Sequence, residues 1–227
     1  MARSFVSAST QSLSLATAPV TAAGFTCAAW ANVTNITAYH PVLTLEDTGG
    51  SGHNWILYMN GGDAGDFVSF QAYDGSSKVA NSATAYSANT WHHVAGIEAA
   101  SNSRTAWIDG VSGAANTTAA TPTGIDRTLV AGRIVLSAIN LNGLIRWPAV
   151  WNVVLSAGEM LMLARGVSPK NVRRENLVFF VETDNDRELI TNTTMTANNG
   201  PTVGLDPPGL RHAHLRARTR LRSRVAA

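Results

Sequence analysis

NTWHHVAGIEAASNSRTAWIDGV, residues 89–111, holds two strand patterns and two turn signals in one short span. From Trp91 onward, Trp91, His93, Ala95 and Ile97 fall on one face of an extended chain and His92, Val94, Gly96 and Glu98 on the other, the period of two that a sheet imposes. The polar run Ala100-Ser101-Asn102-Ser103 turns the chain, residues 105–108 return as a strand of β-formers, and Asp109-Gly110 supplies the next tight turn. The stretch reads as a β-hairpin. A hairpin alone is marginal in water, so Trp91, Ile97, Trp107 and Ile108 need further strands to pack against.

Those strands lie on both sides. Upstream, residues 4–15 read as an opening strand and bend, 25–33 (FTCAAWANV) as the first core strand, and 41–45 as the next. The loop EDTGGSGH (46–53) is too polar and Gly-rich for regular structure; 54–59 and 67–73 follow as strands joined by Asn60-Gly61-Gly62-Asp63, and Asp74-Gly75 leads to 78–86. Downstream, 129–136 reads as a strand carrying Gly132 and Arg133, and 141–151 as another whose Pro148 cannot donate to a ladder, which places it at an edge or a bulge. Ser156 with Glu159 three residues on has the capping-box arrangement, so a short helix starts there and stops at Gly166. NLVFFV (176–181) is an apolar run expected to pair back into the sheets.

Three of these segments carry a resemblance. The Trp-His-His-Val-Ala strand with its polar loop and aromatic-Ile-Asp-Gly return, the Phe25-to-Trp30 spacing before a polar turn, and NGLIRWPAVWNVVLSAGEMLML (142–163) with its Leu-Ser-x-x-Glu helix start are similar to laminin-G-like domains of the concanavalin A-like lectin/glucanase group. The resemblance covers residues 3–166 and implies an all-β jelly-roll sandwich of two antiparallel sheets with one short late helix. The domain is expected to span 1–190, with 191–227 a polar linker and an Arg-rich C-terminal arm.

Composition agrees with a single sandwich. The chain has 227 residues, only 14 % of them charged, and a net charge of +2. That average hides Arg211, Arg216, Arg218, Arg220, Arg222 and Arg224 in the last stretch, which leaves the rest mildly acidic. Cys27 is the single cysteine, so an intrachain disulfide and a cysteine metal site are both excluded, and it reads as a small buried hydrophobe. The opening Met1-Ala2-Arg3 leads into Ser-rich sequence without an apolar core, which reads as no export signal, and no segment approaches membrane-spanning length. The Asn-x-Ser/Thr sites at Asn32, Asn35, Asn116 and Asn192 then stay unmodified.

Candidate chemistry is sparse. His92 and His93 point to opposite faces of a strand and cannot share an ion, so both read as structural. Asp184-Asn185-Asp186-Arg187-Glu188 resembles the alternating carboxylates of laminarinase-type relatives, but it follows the last helix, has Asn where the motif wants an apolar residue, and lacks nearby aromatic subsites. It reads as a solvated loop, and no enzyme activity is expected. Glu46, Asp47, Asp63 and Asp66 offer oxygens of the kind Ca²⁺ takes, and laminin-G relatives often bind that ion at the sandwich rim, though no ligand spacing supports a site here. Of the tryptophans, only Trp55, beside the glycine loop and His53, reads as an exposed sugar platform.

The arm is the most unusual feature outside the sandwich. Arg216, Arg218, Arg220, Arg222 and Arg224 alternate with Leu215, Ala217, Thr219, Leu221 and Ser223, so an extended conformation sets every guanidinium on one side, ready for an acidic protein surface or, less well, nucleic acid. A lone sandwich with this arm is similar to small laminin-G-like structural proteins of tailed bacteriophages. That similarity implies a non-enzymatic virion protein, made in the host cytoplasm and released by lysis, which decorates or cements the head by binding the major capsid protein, alone or as a homo-oligomer. A carbohydrate-binding module recognising a surface glycan, or a tail- or fibre-associated adhesin, is the alternative. No membrane partner is expected.

Overall fold

The computed structural model describes residues 1–135, 138–183 and 185–208. In chain order the strands are β1 (Ala2–Phe5), β2 (Ser12–Leu15), β3 (Phe25–Val33), β4 (Tyr39–Asp47), β5 (Asn54–Asn60), β6 (Phe67–Tyr73), β7 (Ser77–Ala85), β8 (His92–Ala100) and β9 (Ser103–Ile108). They continue with β10 (Val111–Ser112), β11 (Ile125–Val130), β12 (Gly132–Arg133), β13 (Ile139–Asn140), β14 (Gly143–Trp151), the helix α1 (Ala157–Ala164), β15 (Leu177–Phe180), β16 (Thr196–Asn198) and β17 (Thr202–Gly204). Two antiparallel sheets face each other. The first runs β10-β9-β8-β3-β14-β1-β17 with β15 also on β14; the second runs β16-β2-β11-β4-β5-β6-β7; and β12-β13 forms a small separate hairpin.

The β8–β9 hairpin sits beside β3 in the register its alternation demands, with Trp30 opposite His93 and Ala28 opposite Ala95. Val94 faces the other sheet, while Ala95, Ile97 and Trp107 face outward beneath α1 with Trp151, Met160 and Leu163. Between the sheets Phe25 meets the edges of Trp55 at 5.2 Å and Phe70 at 6.1 Å. Gly96 is required at this point, since a Cβ there would collide with the Phe70 ring. The helix starts as its capping box predicts, the Glu159 carboxylate accepting from the Ser156 amide at 2.8 Å and Ser156 Oγ from the Glu159 amide at 3.4 Å.

One polar pair lies inside the core. Arg104 and Glu98 are both fully buried, and the guanidinium places Nε and Nη2 on the two carboxylate oxygens at 3.0 Å each. Its remaining donors reach the Ser101 carbonyl, the Thr118 carbonyl and Asn116 Oδ1, so the pair locks the hairpin to the loop that follows it.

Of the two places expected for Pro148, the structure takes the bulge: β14 is interior, between β3 and β1, and its register shifts between Arg146 and Ala149, where Trp147 takes φ 53°. Two expectations need correction. The strand expected over 129–136 is instead β11, which ends at Val130; Ala131 turns the chain with φ 64° and β12 begins a new hairpin. The boundary at 190 falls short, because β16 pairs with β2 and β17 with β1, carrying the sandwich to Gly204. Strands of three residues join a sheet edge through backbone bonds and are too short for alternation to register.

Candidate functional site

The site is built on the outer face of the second sheet. Along β5, Trp55, Leu57 and Met59 point into the core, so Asn54, Ile56, Tyr58 and Asn60 point outward, joined on β6 by Ser69 and Gln71. Ile56 and Tyr58 are nonetheless only 2 % and 6 % exposed. Their cover is the β12–β13 hairpin, which stands over β4. The fully buried Glu46 carboxylate holds it: one oxygen accepts from Arg127 Nε at 2.7 Å and from Arg127 Nη2, and the other from the Ile134 and Val135 amides, each at 3.2 Å. Thr44 Oγ1 donates to the Gly132 carbonyl at 2.7 Å.

Between this hairpin and the open part of the sheet lies a cleft of about 310 Å³. Ile56, Tyr58, Gln71 and Val79 form its floor, Arg133 and Ile139 one wall, and Tyr39 and Asp63 one end. The Tyr39 and Tyr58 rings are 6.2 Å apart and tilted by 50°. Tyr39 Oη donates to Asp63 at 2.7 Å and Asn60 Nδ2 to its second oxygen at 3.0 Å, and these bonds hold the Asp63 carboxyl below its ordinary range. Burial pushes the Tyr58 hydroxyl up to about 12. Ser77 Oγ donates to Gln71 Oε1 at 3.0 Å and Gln71 Nε2 to Asn54 at 3.4 Å, which fixes the amide in the cleft floor. The arrangement combines an apolar and aromatic floor with a few fixed polar groups, the make-up of a small-molecule site.

The residues expected from the sequence lie elsewhere. Trp55 is 2 % exposed with its ring against Phe25, so it is a core residue and not a sugar platform. The run Trp55-Ile56-Leu57-Tyr58-Met59 is apolar on both faces, so alternation could not say which face was buried. His53 is tied down, Nδ1 accepting from the Thr123 amide at 3.0 Å. The Ca²⁺ candidates are separated: Asp47 ends β4 and Asp63 and Asp66 follow β5, at opposite ends of a strand about 20 Å long. Asp47 instead accepts from the Gly49 and Ser51 amides at 2.6 and 3.0 Å and organises its own loop. Among the described residues, no three His, Cys, Asp or Glu side chains converge on a common point.

Asp184 and the arginines Arg211, Arg216, Arg218, Arg220, Arg222 and Arg224 lie outside the described residues. Asp186 pairs with Arg3, and Glu188 is buried, accepting from the Phe180, Ile190 and Thr191 amides at 3.0, 2.8 and 2.7 Å. Both are structural, Glu188 buried and Asp186 half-buried, rather than in a solvated loop. His92 bonds Asp109 at 2.7 Å, and His93 is buried beside Trp30, where desolvation lowers its pKa to about 4. No described helix is long and apolar enough to cross a membrane.

Sequence reading missed Tyr39, Tyr58, Gln71 and Arg133. The available signal was the set of polar residues Asn60, Ser69 and Gln71 on alternate positions that share a face with Tyr58.

The fold has relatives among known proteins. No curated protein matches the chain. Among solved structures, a proposed carbohydrate-binding protein from Bacteroides ovatus is 16 % identical with a TM-score of 0.64, covering 92 % of this chain and 61 % of its own length. A heptameric SAP-like pentraxin from Limulus polyphemus is 10 % identical with a TM-score of 0.63, covering 89 % and 91 %. The CBM40 module of Ruminococcus gnavus IT-sialidase, bound to α2,3-sialyllactose, is 19 % identical with a TM-score of 0.53, covering 63 % and 84 %. These likenesses show the fold. The family model for the concanavalin A-like lectin/glucanases superfamily, in its laminin-G form, matches residues 7–160, and the chain belongs to that superfamily.

Proposed function

We propose that the protein is a non-catalytic glycan-binding domain and that the sugar lies in the cleft on the outer face of the second sheet. The observation that carries this reading is the pair of tilted tyrosines, Tyr39 and Tyr58, set beside Asp63, Gln71 and Arg133 in a cleft of about 310 Å³. Aromatic faces take the C–H face of a pyranose, and rigid carboxylate, amide and guanidinium groups bond its hydroxyls in fixed directions. A binding role is further supported by the carboxylate count. Glycoside hydrolysis uses two carboxyl groups across the bond, one of them protonated. Among the described residues that line the cleft, Asp63 is the one carboxylate, and its bonds keep it ionised.

The proteins named in the comparisons favour this reading over attachment to a capsid shell. The decoration role expected from the sequence rests on the C-terminal arginines, outside the described residues. The test is a glycan array followed by calorimetric titration of the best ligand. Tyr58→Ala should weaken binding at least tenfold, while His53→Ala, at the distant glycine loop, leaves it unchanged. A blank array, or equal loss in both variants, rejects the cleft as a glycan site.

A further inference from the structure

We infer that the cleft takes an acidic sugar, one that presents a carboxylate to Arg133; this rests on the glycan reading above. Arg133 belongs to the two-residue strand β12, and the Glu46-held hairpin brings its side chain to the cleft wall beside Tyr58. It also has an interaction of its own within the protein. Its charge is nevertheless poorly solvated: burial lowers its pKa, and Glu46 and Tyr58 offset that in part.

Glu46 attracts Arg133 as well as holding the hairpin. Glu46 accepts from Arg127 and from the Ile134 and Val135 amides. Asp63 has both oxygens bonded, by Tyr39 and Asn60. A cation held in such surroundings gains more from an incoming anion than the same cation does in water. The planar guanidinium suits a planar carboxylate, and Ile56, Tyr58 and Ile139 line the cleft beside it. Asp63 at the far end sets polarity along the cleft. It disfavours a second acidic group there and favours hydroxyl donors, so the ligand carries its carboxylate toward Arg133 and its hydroxyls toward Tyr39 and Asp63.

The experiment compares acidic oligosaccharides, a panel of uronic-acid and sialic-acid types, with the same molecules after methyl esterification, using wild type, Arg133→Gln and Arg133→Lys. Wild type should prefer the free acid at least tenfold, and the preference should shrink as salt is raised. Arg133→Gln should bring the acid-to-ester ratio close to one while leaving the unfolding midpoint in place, and Arg133→Lys should restore part of the ratio. Neutral or esterified sugars binding as tightly as the acids, with a ratio that Arg133→Gln does not move, would overturn the acidic-sugar inference and leave the glycan reading standing. No binding by any member, with Tyr58→Ala silent, would remove both.

Discussion

The outer faces of the two sheets are built by the same alternation and put to opposite uses. On the first sheet the outward positions carry Ala28, Ala95, Ile97, Trp107, Ala149 and Trp151, and α1 seals them with Met160 and Leu163. On the second sheet the outward positions carry Thr44, Glu46, Asn54, Tyr58, Ser69 and Gln71, all buried, and the cover is a short hairpin that leaves a cleft beside it. An apolar face covered by a helix is a second core, and its contribution is stability. Polar residues held at low exposure on a sheet surface add little stability, because each replaces bonds to water with bonds to protein. What they supply is a rigid, prearranged set of donors and acceptors beside an aromatic floor.

The contrast predicts that stability and binding separate between the faces. The largest effect belongs to the sealed face. Trp151 is fully buried there and donates its indole N–H to the Val172 carbonyl at 2.8 Å. Trp151→Ala should cost about 3–5 kcal/mol in urea unfolding, since a large cavity opens beneath α1. If the variant unfolds near the wild-type midpoint, the outer cluster is not a core.

His93 lies at the border of the same face and yields a pH signature. Burial holds its ring neutral down to about pH 4, whereas the unfolded chain takes up the proton near 6.5. Between those values the unfolded state binds more protons, so this contribution is complete above pH 6.5 and is lost as pH falls toward 4, by about 3 kcal/mol at most. His40, also lowered by burial, acts in the same direction. The wild-type slope therefore has to be compared with that of His93→Gln, which should be visibly flatter between pH 6.5 and 4.5. Parallel slopes would mean that His93 titrates normally in the folded protein.

A smaller effect tests the cover itself. Ser156→Ala removes the cap of α1 and should cost about 1 kcal/mol, without changing glycan affinity, because the helix lies on the opposite face. Loss of affinity in this variant would show that the two faces are coupled through the core.

Much of the sealed face was legible in the sequence, and the reason is physical. The hairpin around His93 and Val94 has clean alternation, and the helix has its cap three residues before Glu159. The cleft was not legible because it depends on the hairpin at Gly132 and Arg133, whose presence is signalled only by a break after Val130 inside what reads as one strand. Tyr58 was hidden for a related reason: with apolar residues on both faces of β5, only the tertiary cover distinguishes a core position from a floor position. Tyr39 opens β4 two residues before the strand expected from Pro41, outside the alternation that the sequence offers.

The smallest stability effect makes the finest cut at the site. Tyr39 is 41 % exposed, its ring leans toward Tyr58, and its hydroxyl holds Asp63. Tyr39→Phe keeps the ring and deletes the hydrogen bond, so stability should stay within about 0.5 kcal/mol of wild type, as for other exposed positions. The Asp63 carboxyl should then titrate higher than in wild type, because one of the two bonds that lower it is gone. Tyr39→Ala deletes the ring as well. If stacking holds the sugar, Tyr39→Phe should bind within about threefold of wild type while Tyr39→Ala loses tenfold or more, a difference of about 1.4 kcal/mol for each factor of ten. If instead the hydroxyl and Asp63 hold it, both variants should fall together. Carbon-detected titration of Asp63 in Tyr39→Phe, run beside the two affinities, decides between ring and hydroxyl without disturbing the sealed face.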